Sequence, residues 1–170
     1  TMYQIGGGVL IRDSSPSMTN CIIEYNLASG DLGFGAGIFA GSYSSTCESV
    51  FTDCIIRDNS AGVSGGGVFT RFADINFQNI ALTNNSAAYG GGMYDFSGIT
   101  TLTDCAFTGN TSDIDGGGMY TDNNFPTLTG CTFTNNTATD NGGGVFNWHS
   151  TPNFTNCVFT ENTTVGGGGG

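Results

Sequence analysis

Triple-glycine blocks recur along the chain at a nearly constant interval, and this periodicity limits the possible folds more than any other feature. From Gly65 onward, consecutive blocks are separated by 25, 26 and 26 residues. A fixed period of this size is typical of solenoids, in which each unit buries its apolar side chains against the units above and below it. The blocks begin, in chain order, at Gly6, at the variant Gly35, and at Gly65, Gly90, Gly116 and Gly142.

Each glycine block is followed by an apolar pair and, farther along the unit, by two more apolar columns. These later columns are three residues apart, an odd offset that would place them on opposite faces of a continuous strand. Burying both therefore requires a bend between them, and the bend residue is always a type that tolerates left-handed backbone. The bend residues are Asn20, Asp53, Asn79, Asp104, Gly130 and Asn156.

Short strands joined by tight corners leave no room in each unit for a helix of ordinary length. The sequence therefore predicts an all-β fold, a right-handed parallel β-helix (solenoid) with about six coils of roughly 26 residues and open ends. We expect residues 1–170 to be a single segment of a longer repeat array or of a stacked filament. Phe39 and Phe51 are 12 residues apart where the other units use 8, so residues 40–48 are predicted to contain an inserted loop.

One column of the repeat holds asparagine in every unit. Parallel coils stack about 4.8 Å apart, so amide side chains in one column can hydrogen-bond to one another along the axis. We predict a buried structural ladder formed by Asn26, Asn59, Asn85, Asn110, Asn136 and Asn162.

Five of the six cysteines occupy another column, which they share with Ile80. Thiolates at close spacing suit soft metals, so a metal-binding or redox array is one interpretation. Stacked parallel side chains are poorly oriented for disulfides, however, and Ile80 indicates that the position accepts an apolar group. We therefore expect a buried column of free thiols, with no metal site and no cofactor, formed by Cys21, Cys54, Cys105, Cys131 and Cys157; Cys47 falls in the predicted loop, either paired or free.

The chain is strongly acidic, with a net charge of −11 from 14 acidic residues and only three arginines. Such a surface repels polyanions, so nucleic acid is not an expected partner. No apolar run approaches the length of about 18 residues that a membrane span needs, so no span is predicted in this segment.

Five Asn-x-Ser/Thr sequons occur, and the predicted columns divide them into two groups. Asn110 and Asn162 belong to the asparagine ladder and should be buried. Asn84, Asn135 and Asn153 fall on outward columns, so we predict N-glycans on these three residues if a eukaryotic cell exports the protein.

Catalysis on polysaccharides needs clustered carboxylates or a positioned base, and the chain offers few candidates. Asp113, Asp115 and Asp140 lie at neighbouring corners where calcium could bind, but only two units carry them, so a solvated acidic corner is the preferred interpretation. Trp148 and His149 form a candidate sugar-stacking pair, although a surface turn is the simpler explanation.

The alternation of GGG[V/I/M] blocks with F-x-x-N blocks resembles the repeats of chlamydial polymorphic outer membrane proteins and related right-handed β-helix repeat proteins. The F-x-x-N form stands at residues 107–110, 133–136 and 159–162. The resemblance implies a secreted or cell-surface location and a role in adhesion or as a structural stalk.

These features predict a structural or adhesive extracellular β-solenoid, such as a surface stalk, a fibre or an adhesin passenger segment, with no catalysis of its own. The expected partners are further coils of the same kind, by end-to-end stacking or in a longer chain, and host or surface glycans. The alternative is a carbohydrate-active enzyme or carbohydrate-binding module of the pectate-lyase-like β-helix type.

Overall fold

A computed structural model describes residues 4–42 and 47–166 of the chain. Within these ranges the regular secondary structure consists of short β-strands and includes no helix. Each strand pairs in parallel with the equivalent strand of the next coil. The predicted all-β solenoid is confirmed, with about six turns of about 26 residues each.

The strands follow one another coil by coil. The first coil contains β1 (Gln4–Ile5), β2 (Val9–Arg12), β3 (Ser17–Thr19), β4 (Ile22–Glu24) and β5 (Leu27–Ala28). The second contains β6 (Gly33–Phe34), β7 (Ile38–Gly41), β8 (Glu48–Thr52), β9 (Ile55–Arg57) and β10 (Ser60–Ala61). The third contains β11 (Val68–Gln78), β12 (Ala81–Thr83) and β13 (Ser86–Tyr89), and the fourth β14 (Met93–Thr103), β15 (Ala106–Thr108) and β16 (Thr111–Asp115). The last two coils contain β17 (Met119–Asp122), β18 (Thr127–Thr129), β19 (Thr132–Thr134), β20 (Thr137–Ala138), β21 (Val145–Trp148), β22 (Asn153–Thr155), β23 (Val158–Thr160) and β24 (Thr163–Thr164).

Three faces wrap around one core. The long face carries the strands that follow the glycine blocks, from β2 and β3 in the first coil to β21 and β22 in the last. The middle face stacks β4, β9, β12, β15, β19 and β23, and the short face stacks β5, β10, β13, β16, β20 and β24. Because the coils are in register, like residues form vertical columns. Two phenylalanine pairs in the core illustrate this, with ring centroids 5.0 Å apart for Phe51 and Phe77 and 4.5 Å apart for Phe107 and Phe133.

Left-handed backbone forms the corners. All six predicted bend residues, between the long and middle faces, have positive φ, for example 53° at Asp104 and 66° at Gly130. A second series turns the chain from the middle face to the short face, and it was not predicted from the sequence. Its members, all with positive φ, are Tyr25, Asp58, Asn84, Gly109, Asn135 and Glu161.

The third corner consists of the glycine blocks. A Cβ added to Gly91 would lie 2.1 Å from the carbonyl oxygen of Thr111 and 2.7 Å from that of Gly117. Both neighbours are backbone atoms of the stack, so neither can move away. Glycine is therefore required here by the close approach of neighbouring chain segments.

The predicted inserted loop, residues 40–48, falls partly outside the described residues. Strand β7 continues to Gly41 and β8 starts at Glu48, while residues 43–46 lie outside the described part of the chain. Cys47 does not project from the surface: it is 2% exposed, packs in the core and is a free thiol beside Ser49. Burial raises the pKa of the Cys47 thiol, so the group stays protonated near neutral pH.

Candidate functional site

The asparagine column forms a continuous hydrogen-bonded ladder. The Nδ2 of Asn85 donates to the Ile56 carbonyl oxygen at 2.9 Å and to the Oδ1 of Asn110 at 3.1 Å, and its backbone N–H donates to the same Oδ1 at 3.0 Å. The Oδ1 of Asn85 in turn accepts two hydrogen bonds from Asn59. The same pattern runs from Asn26 to Asn162. The four inner members are buried and the two outer ones, Asn26 and Asn162, are half-buried, so the ladder satisfies buried polar groups along the whole stack.

The cysteine column lies at the start of the middle face, directly before its strands. Cys54, Cys105 and Cys131 are buried, Cys21 and Cys157 at the two ends are half-buried, and all five are free thiols. Each donates to backbone carbonyl groups, as the Sγ of Cys54 does to Thr52 at 3.2 Å. Burial raises the pKa of Cys54 and Cys157. In the described part of the chain, no three His, Cys, Asp or Glu side chains are grouped to hold a metal ion.

The interior also contains a carboxylate that the sequence analysis missed. Asp95 is 1% exposed and accepts hydrogen bonds from the hydroxyl group of Thr70, from Thr100 Oγ1 at 2.8 Å and from Asn124 Nδ2 at 2.5 Å. Burial raises the pKa of Asp95 to about 6, although the three hydrogen bonds oppose the shift. Asp95 belongs to the inward column two residues after Met93. The signal in the sequence is that this column has polar residues in the central coils. Asp95 faces the core and cannot touch a ligand outside.

A groove runs along the outside of the glycine corner. Three outward columns line it, and we call it the outer groove. The column before the glycine blocks consists of Ile5, Phe34, Ser64, Tyr89, Asp115 and Asn141. The aromatic column after them starts with Leu10 and continues with Phe39, Phe69, Tyr94, Tyr120 and Phe146. The variable column, two residues later, consists of Arg12, Gly41, Arg71, Phe96, Asp122 and Trp148.

The aromatic column is a stack of rings. Neighbouring centroids are 5.3 Å apart for Phe39 and Phe69, 5.3 Å for Phe69 and Tyr94, and 4.7 Å for Tyr94 and Tyr120, with interplanar angles of at most 15°. The ring faces cover one another, so the column presents ring edges to the groove. Aromatic rings from the column before the glycine blocks pack at a tilt against the aromatic column. The ring centroids of Phe34 and Phe69 are 5.2 Å apart. Sequence reasoning recognised the apolar pairs but not that their second members form a separate ring stack outside the main core, in which Phe39, Phe69 and Tyr120 are buried.

Charge is divided along the outer groove. Arg12 and Arg71 belong to the first three coils, whereas Asp115 and Asp122 belong to the next two. The hydroxyl group of Tyr94 donates to Asp122 Oδ2 at 3.1 Å. Burial, with the Asp122 charge as a further cause, raises the pKa of Tyr94 and raises that of Tyr120 to about 12, so both phenols remain neutral.

A cavity of about 500 Å³ occupies the basic half of the groove over the first four coils. Its wall residues are Ile5, Arg12, Phe34, Phe39, Ser64, Phe69, Arg71, Tyr94 and Phe96. The third arginine of the chain, Arg57, lies on the middle face, where its Nη2 is 2.6 Å from the Oε2 of Glu24. The outer groove thus concentrates two of the three positive side chains of an acidic protein around one apolar cavity.

The remaining predicted site residues do not meet at this cavity. Asn84, Asn135 and Asn153 are exposed, Asn110 is buried and Asn162 is half-buried. Asp115 Oδ1 accepts a hydrogen bond from Asn141 at 2.8 Å, and the rings of Trp148 and His149 are 4.8 Å apart at the far end of the stack. A search of the described residues finds no helix that is both long and apolar enough to cross a membrane.

Comparison with known families agrees with this architecture. A family model for the right-handed β-helix region matches residues 7–169. The chain belongs to the right-handed β-helix family. No curated protein and no solved structure matches this right-handed β-helix.

Proposed function

We propose that this right-handed β-helix is a structural and adhesive segment of an exported or cell-surface assembly, with no catalysis of its own. The observation that carries the proposal is the axial register: the asparagine ladder runs through all six coils, and the paired strands keep their register apart from one shift on the short face between Ala87 and Tyr89. Stacked coils of this kind resist bending because every coil is bonded to its neighbours along the axis. The resemblance of the repeats to those of chlamydial polymorphic outer membrane proteins supports the surface location.

We further propose that coils of the same kind extend the stack axially, either in a second copy that stacks end to end or in a longer chain. In the last coil Phe159 is 43% exposed, although its column neighbour Phe133 is 0% exposed and the two rings are 5.0 Å apart. The ladder also has a direction, because each asparagine donates through its backbone N–H and its Nδ2 to the asparagine of the next coil. The last coil therefore presents hydrogen-bond donors and the first coil presents an acceptor. A further coil of the same kind, from a second copy or from a longer chain, would pair with these groups and cover the exposed core residues.

The proposal predicts rods that grow with protein concentration. Electron microscopy and sedimentation velocity of the purified chain should show assemblies lengthening in steps of about 29 Å, six coils of about 4.8 Å each. Phe159→Glu should abolish stacking because it places a charge on the end of the core. Thr160→Glu is the matched control, with the same charge on the outward face of the same strand. Wild-type protein that stays a single globular particle, or equal behaviour of both variants, would contradict the proposal.

The outer groove favours a second candidate, a carbohydrate-active enzyme or carbohydrate-binding module. The supporting observation is the ligand-sized cavity with apolar walls and two arginines. Incubation with neutral and acidic polysaccharides, followed by measurement of released reducing ends and of unsaturated products, separates the two candidates. Turnover that depends on groove residues would replace the structural proposal.

A further inference from the structure

We propose that the aromatic column carries out an intramolecular electron transfer: after a one-electron oxidant has oxidised Trp148, Tyr94 reduces it, and Asp122 takes the phenolic proton of Tyr94. The oxidant is a small radical that reaches the protein surface from the solvent, such as the azide radical. This redox activity goes beyond the proposed structural function and does not depend on it.

The first argument is that aromatic rings connect Tyr94 to Trp148 without a gap. The ring centroids of Tyr94 and Tyr120 are 4.7 Å apart, and those of Tyr120 and Phe146 are 5.1 Å apart. The last step, from Phe146 to Trp148, is 6.4 Å. All three distances lie in the range of packed aromatic pairs. Because electron transfer weakens steeply with the gap between donor and acceptor, a series of packed rings allows it in short steps.

The second argument is the exposure of the two ends of this path. Trp148, the only tryptophan of the chain, is 49% exposed in the last coil, where a radical in the solvent can reach its indole ring. Tyr94 lies two coils away and is half-buried. Indole and phenol rings both lose a single electron readily, so the path joins an oxidisable side chain at the surface to another one inside the stack.

The third argument is the proton acceptor. A phenol gives up an electron readily only when its proton can leave as well, and the acceptor must lie within hydrogen-bond reach. The hydroxyl group of Tyr94 donates to Asp122 Oδ2 at 3.1 Å. Burial, with the Asp122 charge as a further cause, raises the pKa of Tyr94, so the proton stays on the phenol until the electron leaves. Among the described residues, no side chain accepts a hydrogen bond from the Tyr120 hydroxyl group, so Tyr94 is the electron donor and Tyr120 a relay.

Electrons and protons balance in this reaction. The oxidant takes one electron from Trp148 and leaves a radical cation. One electron from Tyr94 restores Trp148, while the O–H bond of Tyr94 breaks and its proton forms an O–H bond with Asp122 Oδ2. The products are a neutral tyrosyl radical at Tyr94 and a protonated Asp122. If the Trp148 radical first loses its N–H proton to water, water returns that proton when the electron arrives.

Pulse radiolysis with the azide radical tests the transfer, because Trp148 is the single source of the tryptophan-radical absorption. In the wild type, this absorption should decay while the absorption of a tyrosyl radical grows at the same rate, and the rate should not depend on protein concentration. Tyr94→Phe should remove the tyrosyl growth, since phenylalanine keeps the ring but has no phenol. Asp122→Asn should slow the growth by about tenfold or more, because an amide is a poor proton acceptor.

Tyr25→Phe is the matched control, because Tyr25 is 74% exposed at the corner between the middle and short faces, away from the aromatic column. Unchanged circular dichroism and melting temperature of each variant establish that the fold is intact. The inference would be overturned by a wild type without tyrosyl growth, by growth that persists in Tyr94→Phe or disappears in Tyr25→Phe, or by a rate that rises with protein concentration. An unchanged rate in Asp122→Asn would refute the role of Asp122 as proton acceptor.

Discussion

Replacing Asn85 by alanine tests the asparagine ladder, on which the axial register depends. The substitution removes four hydrogen bonds: two from Asn85 Nδ2, to Ile56 and Asn110, and two that Asn59 donates to Asn85 Oδ1. At about 1 kcal/mol each, these bonds account for about 4 kcal/mol of stability. Asn59 and Asn85 are at most 1% exposed, so water cannot replace the lost partners, and the orphaned polar groups raise the expected cost to about 5 kcal/mol.

Urea unfolding, followed by circular dichroism and by the fluorescence of Trp148, measures this cost as a change in the free energy of unfolding. Asn84→Gly is the control, because Asn84 is the exposed neighbour and glycine tolerates its φ of 53°. The control should lose less than about 1 kcal/mol. Asn162→Ala, in the half-buried last coil, should cost about 1–2 kcal/mol because water reaches the freed groups. A loss below about 1 kcal/mol for Asn85→Ala, equal to that of Asn84→Gly, would refute the ladder as a source of stability.

Four further predictions concern other features of the fold. The pKa of Asp95 in the folded protein, about 6, lies above its usual value of 3.8, so the contribution of Asp95 to stability is present below pH 4 and is lost as the pH rises through 6. The expected loss is about 3 kcal/mol, and it should be absent from Asp95→Asn in urea titrations between pH 4 and 7. Gly91→Ala should cost about 3 kcal/mol or prevent folding, because the added methyl group meets fixed backbone, and a melting temperature within a few degrees of wild type would contradict this. Cys21 and Cys157 should react with a thiol reagent before the buried cysteines do, and early modification of Cys105 would show that the core is open. After secretion from eukaryotic cells, glycopeptide mass spectrometry should find occupied sites among Asn84, Asn135 and Asn153, whereas glycans only on Asn110 or Asn162 would contradict the assignment of faces.

The sequence predicts the coil well because its constraints are local and repeated. An odd offset between two apolar columns requires a bend, and the residues at that bend do have positive φ, as Asn79 does at 53°. The asparagine column is recognisable because an amide must find the same partner in every coil. In both cases the same physical requirement recurs in all six units, so a coincidence in one unit cannot produce the pattern.

The outer groove is harder to predict because it depends on how two faces meet. Alternation along β11 directs Val68 into the main core and Phe69 away from it, but only the folded glycine corner brings Phe34 against Phe69 and buries the Phe69 ring. Arg12 and Arg71 line one cavity although the level of Gly41 lies between them in the same column. These relations join residues 30 or more positions apart, and no short spacing in the sequence reveals them.

Departures from the repeat are informative only when the face on which they fall is known. Asp95 and Arg71 both differ in residue type from their neighbours in the same column. Asp95 points into the core and is held by Thr100 and Asn124, whereas Arg71 lines the cavity. The buried departure affects stability and its pH dependence, whereas Arg71 affects the charge of the cavity wall. In a solenoid whose other columns are fixed by stacking, a residue that does not repeat can therefore be interpreted only together with the face on which it lies, and the variable column beside the glycine corner is the example in this chain.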